Sequence, residues 1–87
     1  MINAGDDKLV VFPNPAQNSI TVSTRQPIQN IVIEDLAGQQ LMSFNNIAKD
    51  KISNNFQIDV SKLNSGCYFI TVRTYIGILQ VAKFVKI

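Results

Sequence analysis

The chain has 87 residues, 46% of them hydrophobic, and its eight lysines and arginines against six acidic residues give a formal net charge of +2. This length allows one domain, which buries only about 60–65% of its extended-chain surface and therefore depends on its apolar core for stability. The absence of histidine and the single cysteine exclude an internal disulfide and argue against a zinc site, and the scattered cations argue against a nucleic-acid partner.

The first eight residues, four of them polar or charged, lack the basic and apolar regions of a signal peptide. No run of about 18 apolar residues, as a membrane span requires, occurs in the chain. We interpret residues 1–8 as the remnant of a linker that belongs to a longer protein, and residues 9–87 as the folded domain.

Two short strands are predicted at the start of this domain. Residues 9–12 are apolar and stop at Pro13-Asn14-Pro15. Because proline cannot donate a ladder hydrogen bond, this strand is expected at a sheet edge. Residues 19–23 alternate apolar side chains with hydroxyls, which indicates a half-buried strand.

A hairpin is predicted in the middle of the chain. Ile31 and Ile33 alternate with other residues and are expected to face the core. A turn from Asp35 to Gly38 follows, in which Gly38 can take a positive φ, and residues 39–44 return antiparallel. Residues 45–55 lose this periodicity and gather polar side chains, which predicts a long, mobile surface loop.

A corner is predicted where residues 56–59, the next strand, lead into Leu63-x-x-Gly66-x-Tyr68. The arrangement is typical of a tyrosine corner, in which the phenol packs in the core and its hydroxyl bonds to the main chain just upstream. Gly66 would supply a backbone conformation that a Cβ hinders. A long strand then continues to Arg73.

The last strand is predicted over residues 78–87, after a turn at residues 74–77. Its apolar residues fall on both parities, so periodicity does not give its register and suggests cover by more than one layer or by a partner. Seven short strands with regularly spaced turns and no helical window predict an all-β fold, an immunoglobulin-like two-sheet sandwich of about seven antiparallel strands.

No residue pattern predicts catalysis. Without histidine, a serine or cysteine nucleophile lacks its usual base, and no G-x-S-x-G elbow is present. The acidic residues do not fall at calcium-loop spacing and are interpreted as solvated surface carboxylates. Cys67 is interpreted as a small buried hydrophobic residue rather than a thiol that pairs between chains. We therefore expect no enzyme, no cofactor and no metal.

Four motifs in a fixed order carry a family resemblance over residues 10–87. They are Phe12-Pro13-Asn14-Pro15, Asp35-x-x-Gly38, Leu63-x-x-Gly66-x-Tyr68-Phe69 and Lys83-Phe84-Val85-Lys86. In this order the chain resembles the C-terminal sorting domain of type IX secretion system (Por secretion system) cargo. One departure is Cys67, where the family usually has a branched aliphatic residue or threonine.

The resemblance implies that the domain is a C-terminal export signal. Cargo of this kind passes through the periplasm of a Gram-negative bacterium, and the outer-membrane machinery recognises the domain and carries its cargo to the cell surface or the medium. A surface sortase then removes the domain, and we expect cleavage in the polar leader around Ala4-Gly5. By resemblance the recognition positions are Pro13, Asn14, Pro15, Gly38, Gly66, Tyr68, Lys83, Phe84, Val85 and Lys86.

Each of these positions is weighed between a structural role and a role in recognition. Gly38, Gly66 and Tyr68 suit turns and packing, whereas Pro13-Asn14-Pro15 forms a stiff turn suited to docking. The segment from Lys83 to Lys86 is expected to be recognised by β-augmentation, with both lysines partly exposed. A weak homodimer is a further expectation.

Two other functions remain open at this point. One is an accessory carbohydrate-binding or adhesive sandwich of a secreted enzyme, and the other is a rigid spacer. Sugars stack on aromatic rings, and the chain has no tryptophan and two tyrosines, which makes the first of these a weaker match.

Overall fold

The computed structural model describes residues 9–45, 47 and 55–87. Within these residues the chain forms two antiparallel sheets, with the strand orders β1-β2-β5 and β4-β3-β6-β7. This confirms the predicted all-β sandwich. The strands are β1 (Val10–Phe12), β2 (Ser19–Ser23), β3 (Ile28–Asp35), β4 (Gln40–Phe44), β5 (Asn55–Asp59), β6 (Gly66–Thr74) and β7 (Leu79–Lys86).

Period-two alternation builds the core between the two sheets. Every second residue of β2 and β6 turns inward. In β3 the alternation holds from Ile31 on, after a register shift between Ile28 and Asn30, and Ile31 and Ile33 are fully buried as predicted. The edge position predicted for the first strand is also confirmed, because β1 pairs with β2 alone. The buried apolar set is Ala16, Ile20, Val22, Ile28, Ile31, Ile33, Ile58, Val60, Tyr68, Ile70, Val72 and Phe84.

The β3–β4 hairpin closes as its sequence predicts. One carboxylate oxygen of Asp35 accepts the N–H groups of Ala37 and Gln39, both at 2.9 Å. The N–H of Gly38 donates to the Asp35 carbonyl at 3.0 Å, and Gly38 has a φ of +87°. A glycine is favoured here because L-residues with a Cβ rarely take this left-handed conformation.

The register of β7, which periodicity left undecided, is set by pairing with β6. Phe84 lies opposite Tyr68 and faces the core, whereas Val81 lies opposite Thr71 and is 62% exposed. The even-numbered residues of β7 therefore face inward and the odd-numbered ones outward. The strand is apolar on both parities because Leu79 and Val81 on its outer face are apolar as well as exposed. No second layer of described residues covers that face.

Two sequence predictions fall outside the described residues. They are the linker remnant at residues 1–8, with its cleavage region, and most of the surface loop at residues 45–55. Of the middle of that loop, Ile47 is described, and its N–H donates to the Gln29 carbonyl at 3.0 Å. The hydroxyl of Tyr75 donates to the Ile47 carbonyl. Among the described residues no helix has the length and apolar character to cross a membrane.

Candidate functional site

The motifs of the hairpin, the corner and the last strand meet at one end of the larger sheet. Tyr68 pairs with Asp35 on one side and with Phe84 on the other. The rings of Tyr68 and Phe84 stack with their centroids 5.5 Å apart and their planes 26° apart. Gly66 lies opposite Lys86 in the same ladder. The β-pairing thus brings together three segments that are distant in sequence.

The first motif joins them through the side chain of Asn14. Its Nδ2 donates to the carbonyl oxygen of Lys83 at 3.3 Å, and its Oδ1 accepts the N–H of Val85 at 2.9 Å. Ala16 continues the contact, since its N–H donates to the Val85 carbonyl at 2.7 Å and its carbonyl accepts the N–H of Ile87 at 2.9 Å. We call residues 13–16, docked on β7 in this way, the Asn14 clamp.

The clamp changes how the last strand can be recognised. The main-chain groups that residues 83–87 turn outward bond to Asn14 and Ala16, so this half of the β7 edge is occupied by the chain itself. Addition of a partner strand at residues 83–86, as expected from the sequence, would have to displace the clamp. The clamp itself presents three exposed residues at the surface, namely Pro13, Asn14 and Pro15. Both X-Pro peptide bonds of the segment are cis.

The tyrosine corner is confirmed. Tyr68 is 6% exposed, and its hydroxyl donates to the carbonyl oxygen of Asn64 at 2.5 Å. Gly66 has a φ of +153°, while a Cβ built there meets no atom within 4 Å. Gly66 is therefore required for its backbone conformation and not for lack of space. Leu63 packs partly buried against the core.

The two lysines of the last motif have different environments. Lys83 is exposed on the outer face opposite Phe69, whereas Lys86 is only 8% exposed. The expectation that both lysines are exposed is wrong for Lys86. It occupies an inward position of β7, so its aliphatic stem is covered, and its Nζ donates to the main-chain oxygen of Ile87 at 2.9 Å.

Cys67 lies on the outer face of β6, opposite Val85. Its thiol is free and the residue is half-buried. The interpretation as a buried hydrophobic residue is therefore met only in part. Because Cys67 alternates with the inward-facing Tyr68, it faces outward, and it is nevertheless half-buried.

One hydrogen-bonded turn directly before the corner was not predicted from the sequence. A carboxylate oxygen of Asp59 accepts the N–H of Ser61 at 2.9 Å. Hydrogen bonds from the Ser61 hydroxyl and N–H, and the charge of Lys62, lower the pKa of Asp59 below its ordinary value. The signal was present as Asp-x-Ser directly after a strand, which is typical of an Asx turn.

Metal binding has no counterpart in the described part of the chain. No group of three or more histidine, cysteine or acidic residues there is close enough to hold an ion. The alternative of sugar stacking would require exposed rings. Phe12 is 47% exposed and Phe69 36%, on the outer faces of different sheets, so they do not form one stacking platform.

Comparison with known proteins finds one family by sequence. Residues 10–86 match the family described as the secretion system C-terminal sorting domain. No curated protein matches the chain.

The fold occurs in several solved structures, of which two serve for comparison. One is PorZ, an essential bacterial surface component of the type IX secretion system of Porphyromonas gingivalis, with a TM-score of 0.70 and 17% identity. The match covers 91% of this chain but only 11% of PorZ. The other is CopC from Methylosinus trichosporium OB3b, with a TM-score of 0.52, 14% identity and 91% coverage of both chains. At these identities both likenesses show the fold alone.

Proposed function

Because this chain belongs to the family of secretion system C-terminal sorting domains, we propose that the Asn14 clamp forms the surface by which the type IX machinery recognises it. The family role is that of a sorting signal of type IX cargo, which is exported to the cell surface or the medium, and not that of a catalyst. Membership also means that the domain acts as part of a larger cargo protein.

The observation that carries this proposal is the contact between the first and the last motif. Asn14 and Lys83 are 69 residues apart, yet the clamp brings the exposed Pro13, Asn14 and Pro15 against the strand that carries the exposed Lys83. A rigid turn held at both ends loses little conformational entropy on binding, which suits a recognition surface. Phe84, Val85 and Lys86 belong to the strand on which the clamp is docked. Tyr68 stacks on Phe84, and Gly66 lies opposite Lys86 on the neighbouring strand. Gly38 lies in the β3–β4 turn, and β3 is two strands away from β7, so the proposed surface does not include it.

The path of β1 separates this surface from the cargo. Phe12, which pairs with Thr21, runs directly into the clamp, whereas Val10 pairs with Ser23 at the opposite end of the smaller sheet. The chain therefore enters the domain at the end away from the clamp, and cargo attached there would leave the clamp accessible. We propose that the sortase cleaves before Leu9, around Ala4-Gly5, after passage from the periplasm.

Export of a fusion tests the recognition surface. The chain is attached to the C-terminus of a periplasmic reporter in a bacterium with a type IX system, and reporter in the medium and on the cell surface is measured. We expect Lys83→Ala to retain most of the reporter in the periplasm. The matched control is Lys62→Ala, which removes another exposed lysine outside the motifs.

Normal export of Lys83→Ala together with a double variant Pro13→Ala, Pro15→Ala would contradict recognition through the clamp. Thermal melts of the purified variants are required alongside, because an unfolded variant tests folding and not recognition. Mass spectrometry of the exported reporter maps the cleavage position, and a new terminus inside residues 9–87 would rule out cleavage in the leader.

A further inference from the structure

The clamp covers only half of the outer edge of β7. Bonds to Asn14 and Ala16 show that the main-chain groups of residues 83, 85 and 87 point away from β6. Main-chain direction alternates along a strand, so the N–H and C=O groups of Leu79 and Val81 point the same way. Among the described residues no strand pairs with them, because β7 ends the order of its sheet.

The side chains along this free edge are apolar and exposed. Leu79 is 57% and Val81 62% exposed, and Phe69 lies on the same outer face, one strand inward, at 36%. Edge strands are usually protected from further pairing by lysine, proline or a covering segment. Lys83 and the clamp provide that protection beyond Val81. Among the described residues, β1 lies near β7 without pairing with it, and Leu79 and Val81 stay exposed.

Cations flank this apolar edge. Arg73 lies opposite Leu79 and is exposed, and the exposed Lys83 follows Val81 on the same face. Of the described residues, Glu34 is the acidic one on this face, and it lies two strands inward from Lys83, on the far side of Phe69. A binding segment at the edge therefore meets positive charge at both ends of the apolar pair.

These charges distinguish between possible occupants. If two copies paired antiparallel about Val81, Lys83 of one copy would lie opposite Leu79 of the second and two strands from its Arg73, about 10 Å away. Like charges at that spacing oppose the pairing, although salt weakens the effect. A segment that carries carboxylates gains from the same charges.

We propose that the edge of β7 at Leu79 and Val81 is a docking site for an extended, acidic and apolar segment of a partner protein. The segment adds as a fifth strand to the larger sheet through the main chain of Leu79 and Val81. On the outer face it places apolar side chains opposite Leu79 and Val81. Pairing ends at Val81, because the clamp occupies the edge from Lys83 onward, and the next residue of the segment carries a carboxylate within reach of the exposed Lys83 side chain. This surface lies beside the clamp and does not depend on the clamp being the recognition element.

Peptide binding to the 87-residue chain tests the proposal independently of export. The probe is a capped peptide of alternating valine and threonine with one glutamate placed to meet Lys83, made in both chain directions. The control peptide has lysine in place of the glutamate. Binding is followed by fluorescence anisotropy and by amide chemical shifts of the 15N-labelled chain, and we expect the largest shifts at Leu79, Val81 and Lys83.

Two variants separate the contribution of main-chain pairing to peptide binding from the contribution of charge. Val81→Pro removes an N–H that faces away from β6, a position where an edge strand tolerates proline, and should raise the Kd of the acidic peptide at least about tenfold. Lys83→Glu should raise that Kd by a similar factor and make the lysine peptide the better ligand. The matched control is Ile76→Thr, since Ile76 is also 62% exposed but lies in a turn.

Three results would overturn the proposal. The first is an acidic peptide that leaves the amides of residues 79–83 unchanged. The second is unchanged binding by Val81→Pro once its circular dichroism shows a folded chain. The third is a dimer in sedimentation that Val81→Pro abolishes, because a second copy would then be the occupant of the edge.

Discussion

Asn14 and Val85 are bonded across 71 residues of sequence, side-chain oxygen to main-chain N–H, at 2.9 Å. The bond ties the segment that leaves the smaller sheet to the last strand of the larger one. In this way a side chain performs the role of a neighbouring strand at the edge of β7, and it places the first and last family motifs on one surface.

Loss of this bond should be measurable in stability. Asn14→Ala removes two hydrogen bonds to β7 and should lower the free energy of unfolding by about 1–2 kcal/mol. Asn18→Ala serves as control, because Asn18 contacts Val60 through its carbonyl and not its side chain, and it should stay within about 0.5 kcal/mol. Urea melts measure the free energy of unfolding of both variants. A loss in Asn14→Ala no larger than that in Asn18→Ala would show that the Asn14 side chain does not contribute to stability.

Tyr68→Phe should remove the corner bond and leave the Asn64 carbonyl without its partner. We expect a loss of about 1–3 kcal/mol, the range for losing a part-buried hydrogen bond, while the ring still packs on Phe84. Urea denaturation followed by circular dichroism measures it. A change below a few tenths of a kcal/mol would mean that water replaces the hydroxyl at no cost.

Lys83 and Lys86 should respond differently to truncation. Lys83→Ala should change stability by no more than about 0.5 kcal/mol, since the side chain is exposed. Lys86→Ala removes a covered aliphatic stem and should cost about 1–2 kcal/mol, whereas Lys86→Met keeps the apolar stem and should restore most of it. Thermal melts compare the three. Unchanged stability of Lys86→Ala would indicate that the aliphatic stem of Lys86 does not pack in solution.

Asp59 should link stability to acid pH. Its pKa is lowered in the fold by the hydrogen bonds from Ser61, so its contribution is present above the ordinary value of 3.8 and is lost as pH falls through the lower folded value. Asp59→Asn keeps an acceptor for the Ser61 N–H but removes the charge. We therefore expect the variant to be less stable than the native chain near neutral pH, with the difference vanishing in strong acid.

Urea midpoints of the two chains across this pH range measure the linkage. Glu34→Gln, at another exposed-face carboxylate, controls for the general effect of removing a negative charge. If the urea midpoints of Asp59→Asn and the native chain still differ in strong acid, the difference does not come from the titration of Asp59.

The sequence by itself determined the local features of this protein. Alternation identified the buried isoleucines of β3, Asp35 and Gly38 predicted the hairpin, and Leu63-x-x-Gly66-x-Tyr68 predicted the corner. Each depends on periodicity or turn chemistry within a few residues, which a single sequence displays directly. The order of the motifs also predicted the family, which the match over residues 10–86 confirms.

Only the tertiary structure decided what surrounds β7. That Lys86 is buried while Lys83 is exposed depends on the register with β6, which a strand apolar on both parities does not reveal. The outward main-chain groups of residues 83–87 are bonded, whereas no described strand pairs with those of Leu79 and Val81. This difference depends on Asn14 and Ala16, whose position on β7 follows from how the two sheets pack. Contacts between residues so distant in sequence leave no local period, because they arise only when the whole core has assembled.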